Sequence, residues 1–400
     1  DRAHEDARRA VSRPGDRPVL IHRLIARLNV GGPAMHVVNL AAAMNEGPWR
    51  TRLIAGRIEE DEGDMAYYAD ELGVDVSYVP AMARSINPLA DFKTLVHLYR
   101  LFRRERPDIV HTHTAKAGTL GRIAAVLAGV PVRVHTYHGH VLGGSYFAPW
   151  KTAVFVFIEQ QLGRLSDRLV VLTRRQAQEM ADELRVAPPS KFSVVPLGLD
   201  LERFLSIRRD GDAAAARAAL GAQEGEVTVG IVGRMVPVKN HELFFDVVAE
   251  LVNVSPAPVR AFVVGSGERQ AELETLVEAL GIHANVTWLG WRQDLEEIYP
   301  ALSVMLLTSH DEGTPVAVIE ALVSGTPVVA RDVGGVAEML GEADAGTVVS
   351  RGAGVSEWAR SVIAAAGEAP GEEVRGAVAG RFSVDRLARN VTALYQVGIK

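Results

Sequence analysis

Residues 303 to 323 read Ser-Val-Met-Leu-Leu-Thr-Ser-His-Asp-Glu-Gly-Thr-Pro-Val-Ala-Val-Ile-Glu-Ala-Leu-Val. The apolar run Ser303 to Leu307 suits a buried strand, the polar residues after it a turn, and the apolar residues from Val316 onward a helix. A strand fed into a helix in this way is half of a crossover unit, and a chain built of such units makes parallel sheets covered by helices. Thr314 is the expected N-cap, with Pro315 at the first helical position, where proline is favoured. The first-turn amides of such a helix lack intrahelical partners and favour anions.

The same pattern recurs on both sides. Strand-like runs fall at Val19 to Ile25, Arg52 to Ala55, Asp75 to Val79, Ile109 to His111, Val132 to Thr136, Leu169 to Leu172 and Phe192 to Val195. After the Ala-rich segment 212–222 a second series runs through Val227 to Val232, Val259 to Val264, Val286 to Leu289, Val304 to Leu307, Pro327 to Ala330 and Thr347 to Val349. The expectation is an α/β protein of two doubly wound, Rossmann-like domains whose loops face a central cleft. Its divisions are a mobile polar tail at 1–17, an N-terminal domain at 18–205 and a C-terminal domain at 206–380. A final helix at 381–400, with Leu387, Val391 and Leu394 on one face, is expected to cross back to the first domain.

With 400 residues, 48% hydrophobic content and 23% charge, the chain has the make-up of a multidomain globular protein. The net charge of −6 argues against general nucleic-acid binding. Zero Cys excludes disulfides, thiolate metal sites and cysteine nucleophiles. No run approaches the roughly 20 apolar residues of a membrane span, and no secretory leader is visible, so a cytoplasmic location is expected. Residues 91–106 combine Phe92, Leu95, Leu98, Tyr99 and Phe102 with Lys93 and four arginines, a pattern compatible with peripheral contact at the inner face of the membrane. A cover helix on the sheet is the preferred reading, because its apolar face has a core to fill. The aromatic stretch Gly143 to Phe157 is either an acceptor-binding flap or core.

Ligands of open α/β sheets lie beyond the carboxyl ends of the strands, so the strand-to-helix loops carry the chemistry. Gly31-Gly32 follows the opening strand and lets a backbone approach a phosphate closely, although an isolated Gly-Gly more often serves a tight turn. Gly233-Arg234-Met235-Val236-Pro237-Val238-Lys239 follows the first strand of the second series, and its two cations suit a diphosphate. Glu312 precedes the helix, and Glu320 lies about 7 to 8 Å along its axis. One carboxylate there can accept hydroxyls of a transferred sugar and the other those of a ribose. The alternative is that Asp311 and Glu312 merely complement the helix dipole and Glu320 is a solvated helix residue; against it, a carboxylate on an otherwise apolar helix needs partners. Five histidines, His111, His113, His135, His138 and His140, invite a metal, but carboxylates are sparse between Asp108 and Glu159 and neighbouring strand positions point to opposite faces. His138, between Tyr137 and Gly139, is preferred as a hydrogen-bonding group. Asp210 and Asp212 sit in the expected linker, and Glu59 to Asp64 reads as a solvated helix start, so no metal is expected at either place.

In order and spacing these motifs resemble the retaining GT-B glycosyltransferases of family 4, from about Pro18 to the C-terminus. Val264-Gly265-Ser266-Gly267, Leu289-Gly290-Trp291, Gly325-Thr326-Pro327 and Gly334-Gly335-Val336-Ala337-Glu338 belong to the same resemblance. It implies a nucleotide-sugar donor, UDP by default, and a glycan, lipid-linked or small-molecule hydroxyl acceptor. Arg234 and Lys239 then bind the diphosphate with backbone amides near Gly32 and at Gly313, Thr314 and Val316. Glu320 holds the ribose, Glu312 the donor sugar's hydroxyls, and His138 the sugar near its 6-position, with its carbonyl supporting the anomeric carbon. Trp291 and Arg292 bracket the base, and neither a metal nor a cofactor is required. Asn240 departs from the family's usual Gly. The competing readings are a nucleotide-sugar epimerase of the same architecture, or a catalytically silent nucleotide-sugar-binding subunit; intact Arg234, Lys239, Glu312 and Glu320 disfavour the second.

Overall fold

The structure, a computed structural model, describes residues 17–58, 63–83, 85–139, 149–343 and 345–399. His140 and the aromatic residues Tyr146 and Phe147 fall outside the described residues, as do Glu59 to Glu62 and nearly all of the polar tail. The chain forms two compact units, Asp1–Leu199 with Ser383–Lys400, and Asp200–Phe382.

The first unit is built on a seven-stranded parallel sheet: β1 (Val19–Ile25), β2 (Trp49–Gly56), β3 (Val76–Val79), β4 (Ile109–His113), β5 (Val132–Thr136), β6 (Arg168–Val171) and β7 (Phe192–Val194), in the order β3-β2-β1-β4-β5-β6-β7. The second has six parallel strands: β8 (Val227–Val232), β9 (Val259–Val264), β10 (Val286–Gly290), β11 (Val304–Leu307), β12 (Val328–Arg331) and β13 (Thr347–Val349), in the order β10-β9-β8-β11-β12-β13. Both are doubly wound, and every expected strand is present. In each sheet the order reverses beside the first strand, between β1 and β4 and between β8 and β11. Such a reversal opens the crevice in which ligands of these sheets bind.

Apolar burial fixes the register. All four residues of β11 are buried, as befits a parallel strand covered on both faces. In the helix Val316–Val323 that follows, Val318, Ile319, Leu322 and Val323 have no exposed surface. Each is worth about 1.5–3 kcal/mol of burial. That packing draws Glu320, on the same helix, into the interior with only 5% of its surface exposed.

Three expectations are corrected here. The domain boundary lies at 199/200 rather than 205/206, because residues 202–207 pack in the second unit. Phe204 stacks edge-on against Tyr299, and the Arg375 guanidinium donates to the carbonyls of Phe204, Leu205, Ile207 and Val323. The expected linker holds the helix Arg209–Ala219, in which the Asp212 carboxylate accepts from the Arg208 amide. Finally, the helix after β11 begins at Val316 with Pro315, not Thr314, as its cap: Pro315 is extended (ψ 109°), and its carbonyl accepts from Val318 and Ile319.

The last helix, Val384–Ile399, packs in the first unit, where Leu387, Val391, Leu394 and Tyr395 join Ile21, Leu40 and Val134 in one apolar cluster. The basic helix Pro88–Glu105 buries Leu98, Leu101 and Phe102 against the same unit while leaving Leu89 and Phe92 exposed. Among the described residues no helix is long and apolar enough to cross a membrane.

Candidate functional site

In the second unit the two loops at the sheet reversal are sewn together. The His310 amide donates to the Val238 carbonyl, and the Thr308 hydroxyl donates to the carbonyls of Lys239 and Asn240. Asn240 is left-handed (φ 51°, ψ 55°), a conformation that Asn tolerates best after Gly, and its Nδ2 donates to the Thr308 carbonyl at 3.1 Å. The departure from the family's usual glycine thus keeps the backbone shape and adds a tie to the end of β11. Two motif glycines have equally local reasons. A Cβ on Gly265 (φ 134°) would lie 2.0 Å from the Gly233 carbonyl oxygen, and one on Gly334 (φ 51°) would lie 1.6 Å from that of Glu312. Both loops are therefore held by backbone pressed against backbone.

This packing brings Lys239 and Glu312 into contact, Nζ to Oε1 at 2.6 Å, with the Ser309 hydroxyl donating to the same oxygen at 2.7 Å. Beside them Arg234 is exposed, with no side-chain partner among the described residues. The amides of Gly313, Thr314 and Val316 likewise have no hydrogen-bond partner among the described residues, and the Thr314 hydroxyl is buried without one. Cations and unused donors around a helix N-terminus form an anion-binding surface.

Glu320 sits one turn further along the helix. Burial lifts its carboxyl from the ordinary 4.5 to about 7, against the opposing pull of the Tyr299 hydroxyl, which donates to Oε2 at 2.9 Å, and of the Arg203 charge. Burial also raises the Tyr299 phenol well above its ordinary value, so that it remains a donor. Trp291, half exposed, follows β10, and Arg292 pairs with Asp294 beside it.

The first unit carries Gly31, Gly32 and His138. Gly31 precedes the helix Gly32–Ala43, and Pro33 lies within its first turn. His138 is held through its neighbours: the Tyr137 hydroxyl donates to Glu159 Oε2 at 2.7 Å, Arg122 grips both oxygens of that carboxylate, and Gln176 donates to the Gly139 carbonyl. The histidines expected to cluster divide in two. His135 hydrogen-bonds Thr112 on the other face of the sheet, and His111 meets Tyr395 and Thr136. His113 Nδ1 lies 3.0 Å from His138 Nε2, and His36, which sequence reading passed over, completes a group of three. His36 occupies a helix far from the others in the chain, and only the adjacency of β1, β4 and β5 unites them.

Comparison with known proteins places the chain in a family. The family profile described as "Glycosyl transferases group 1" matches residues 212–370, and that described as "Glycosyl transferase 4-like domain" matches 31–198. The chain is 34% identical over 278 residues to the Escherichia coli UDP-Gal:alpha-D-GlcNAc-diphosphoundecaprenol alpha-1,3-galactosyltransferase, covering 69% of this chain and 70% of that one. It is 36% identical over 264 residues to the D-inositol 3-phosphate glycosyltransferase of Rhodococcus erythropolis, covering 63% of this chain and 58% of the relative. Among solved structures, Anabaena Alr3699/HepE in complex with UDP and glucose superposes with a TM-score of 0.77 at 19% identity, over 95% of this chain and all (100%) of that one. The sucrose-phosphate synthase of Thermosynechococcus elongatus superposes with 0.76 at 20% identity, over 95% and 98%.

Proposed function

Because this chain belongs to the family 4 glycosyltransferases of GT-B fold and is a hexosyltransferase, we propose that it transfers a hexose from a UDP-sugar, with retention, to a hydroxyl of a lipid-linked saccharide. The observation that carries this reading is the contact of Lys239 with Glu312 beside the unpartnered amides of Gly313, Thr314 and Val316, with Glu320 buried one turn away. Arriving diphosphate draws Lys239 and Arg234 to its oxygens, and Glu312 turns its freed carboxylate to the hydroxyls of the hexose. The ribose hydroxyls donate to Glu320, which favours its ionised form. Trp291 and Arg292 flank the base. Gly31 and Gly32 offer backbone amides to the phosphates, and His138 meets the hexose near its 6-position, its carbonyl facing the positive charge at the anomeric carbon.

The reaction then proceeds on one face of the sugar through an oxocarbenium-like state. The departing diphosphate takes up the acceptor's proton. Electrostatic preorganisation around that diphosphate is the main source of rate, and alignment of the two substrates the second. Arg234 and Lys239 supply the counter-charge for the leaving group, so the chemistry asks for neither a divalent ion nor a cofactor.

The lipid-linked acceptor is favoured by the E. coli relative, whose name specifies a diphosphoundecaprenol substrate. It is favoured also by the exposed Ile86, Leu89 and Phe92 near Lys93 in the first unit, an apolar and basic surface suited to the inner face of an anionic membrane. The test pairs UDP-galactose and UDP-glucose with a polyprenyl-diphosphate GlcNAc acceptor and with inositol phosphate, and follows UDP release and the anomeric configuration of the product by NMR. An α-linked disaccharide on the lipid, formed equally well with EDTA present, is the expected result. Inverted product, transfer only to inositol phosphate, or epimerised donor without transfer overturns the reading.

A further inference from the structure

His36, His113 and His138 lie at the carboxyl ends of three neighbouring strands: His36 in the helix after β1, His113 at the end of β4, His138 two residues past β5. One ring nitrogen from each falls within 4.8 Å of the other two. The ring centroids are separated by 5.9 Å (His36 to His113), 5.1 Å (His36 to His138) and 5.2 Å (His113 to His138). Among the described residues no carboxylate completes the group.

Each ring also keeps a buried nitrogen without a partner: His36 Nδ1, His113 Nε2 and His138 Nδ1. Buried polar atoms ordinarily have a partner, so three without one in a single cluster point to a ligand.

We propose that His36, His113 and His138 form a three-imidazole site for a transition-metal dication, zinc first, and that filling this site inhibits hexose transfer. Tetrahedral zinc with nitrogen at about 2.0–2.1 Å holds its ligand atoms about 3.4 Å apart. His113 Nδ1 and His138 Nε2, hydrogen-bonded to each other at 3.0 Å, would give up that bond to the ion, and turning of the rings brings His36 in. Imidazole selects zinc, cobalt, nickel and copper over magnesium and manganese. Three protein ligands leave the fourth position open to water. The buried guanidinium of Arg23, which reaches the neighbouring His111, opposes a second cation nearby. The inhibitory half rests on the reading that gives His138 to the donor hexose, since a ring bound to metal cannot also hydrogen-bond the sugar.

Binding and inhibition are tested separately. Chelator-stripped protein is dialysed against micromolar ZnCl2 and its zinc counted by plasma mass spectrometry, and CoCl2 is added in parallel for the visible absorption of tetrahedral cobalt. One equivalent is expected in the wild type, with affinity falling in His36→Gln and His113→Ala by more than the roughly 10- to 100-fold that loss of a merely supporting group costs. Thermal melts establish that each variant is folded, and His36→Gln preserves most of the volume should His113→Ala fail to fold. Absence of stoichiometric zinc in the wild type, or equal zinc in folded His36→Gln, overturns the site. In transfer assays zinc should raise the KM for UDP-hexose at the concentration that fills the site, leave the thermal shift by UDP unchanged, and be reversed by EDTA. Stoichiometric zinc with undisturbed transfer leaves the site standing and refutes its regulatory role.

Discussion

Glu320→Gln should make the protein more stable in alkaline buffer while weakening its hold on UDP. The carboxyl titrates near 4.5 when solvated and near 7 in the fold. The proton-bound form therefore favours folding in full below pH 4.5, and that contribution is lost as the pH rises through 7. At about 1.4 kcal/mol per pH unit, the ionised wild type above pH 8 lacks about 3 kcal/mol of stability relative to a side chain that stays neutral. Glutamine keeps an oxygen for the Tyr299 hydroxyl and never ionises. It should lie within about 1 kcal/mol of wild type at pH 5 and be more stable by about 3 kcal/mol at pH 8. For a unit of this size that is a rise of about 6–12 °C in Tm. The ribose contact runs the other way: losing a charged acceptor for hydroxyl donors costs about 1.5–3 kcal/mol, or roughly 10- to 100-fold in UDP affinity. Calorimetric melts at pH 5, 6, 7 and 8, each with and without UDP, measure both. A stability difference that does not grow with pH, or a variant less stable than wild type at pH 8, refutes the claim that burial holds the proton on Glu320.

Three further outcomes follow from the same geometry. Lys239→Met should lower kcat by about 10²- to 10³-fold, the usual effect of removing one electrostatic stabiliser, with the fold intact by circular dichroism; wild-type turnover would remove Lys239 from the diphosphate. Gly334→Ala should cost about 3 kcal/mol in urea melts, because its Cβ would overlap the Glu312 carbonyl oxygen at 1.6 Å and no rotamer relieves a backbone clash; an unchanged midpoint would show that the 312–334 contact is not held. Asn240→Ala should cost about 2 kcal/mol, left-handed strain plus a lost hydrogen bond, while Asn240→Gly should cost about 1 kcal/mol or less; equal losses would place the effect elsewhere.

The strands were legible because each is a local apolar run. Val227 to Val232 and Val304 to Leu307 can be read off the sequence to the residue, and alternation with helical patterns leaves a parallel, doubly wound fold as the natural outcome. The loops that carry Arg234, Lys239 and Glu312, and the helix that carries Glu320, were legible for the same reason, since the ligands of such sheets lie beyond the strand ends. Boundaries were less so. The first turn of the helix at Val316 depends on one ψ angle at Pro315, and the start of the second unit on Arg375, whose guanidinium holds residues 204–207 from across the unit.

By itself the sequence determined which segments are strands and helices, which loops hold charge and glycine, and where an apolar helix carries a lone carboxylate, because propensity and side-chain period act over a few neighbouring residues. Only the tertiary structure decided what those segments meet. Lys239 touches Glu312 across 73 residues because β8 lies beside β11. Tyr299 caps Glu320 only once the helix is packed down. His36 joins His113 and His138 because β1, β4 and β5 are neighbours, and Arg23 reaches Tyr395 across 372 residues because the last helix packs on the first sheet. Strand order and burial are set by the minimum of the whole packed chain, and no short window of sequence contains them.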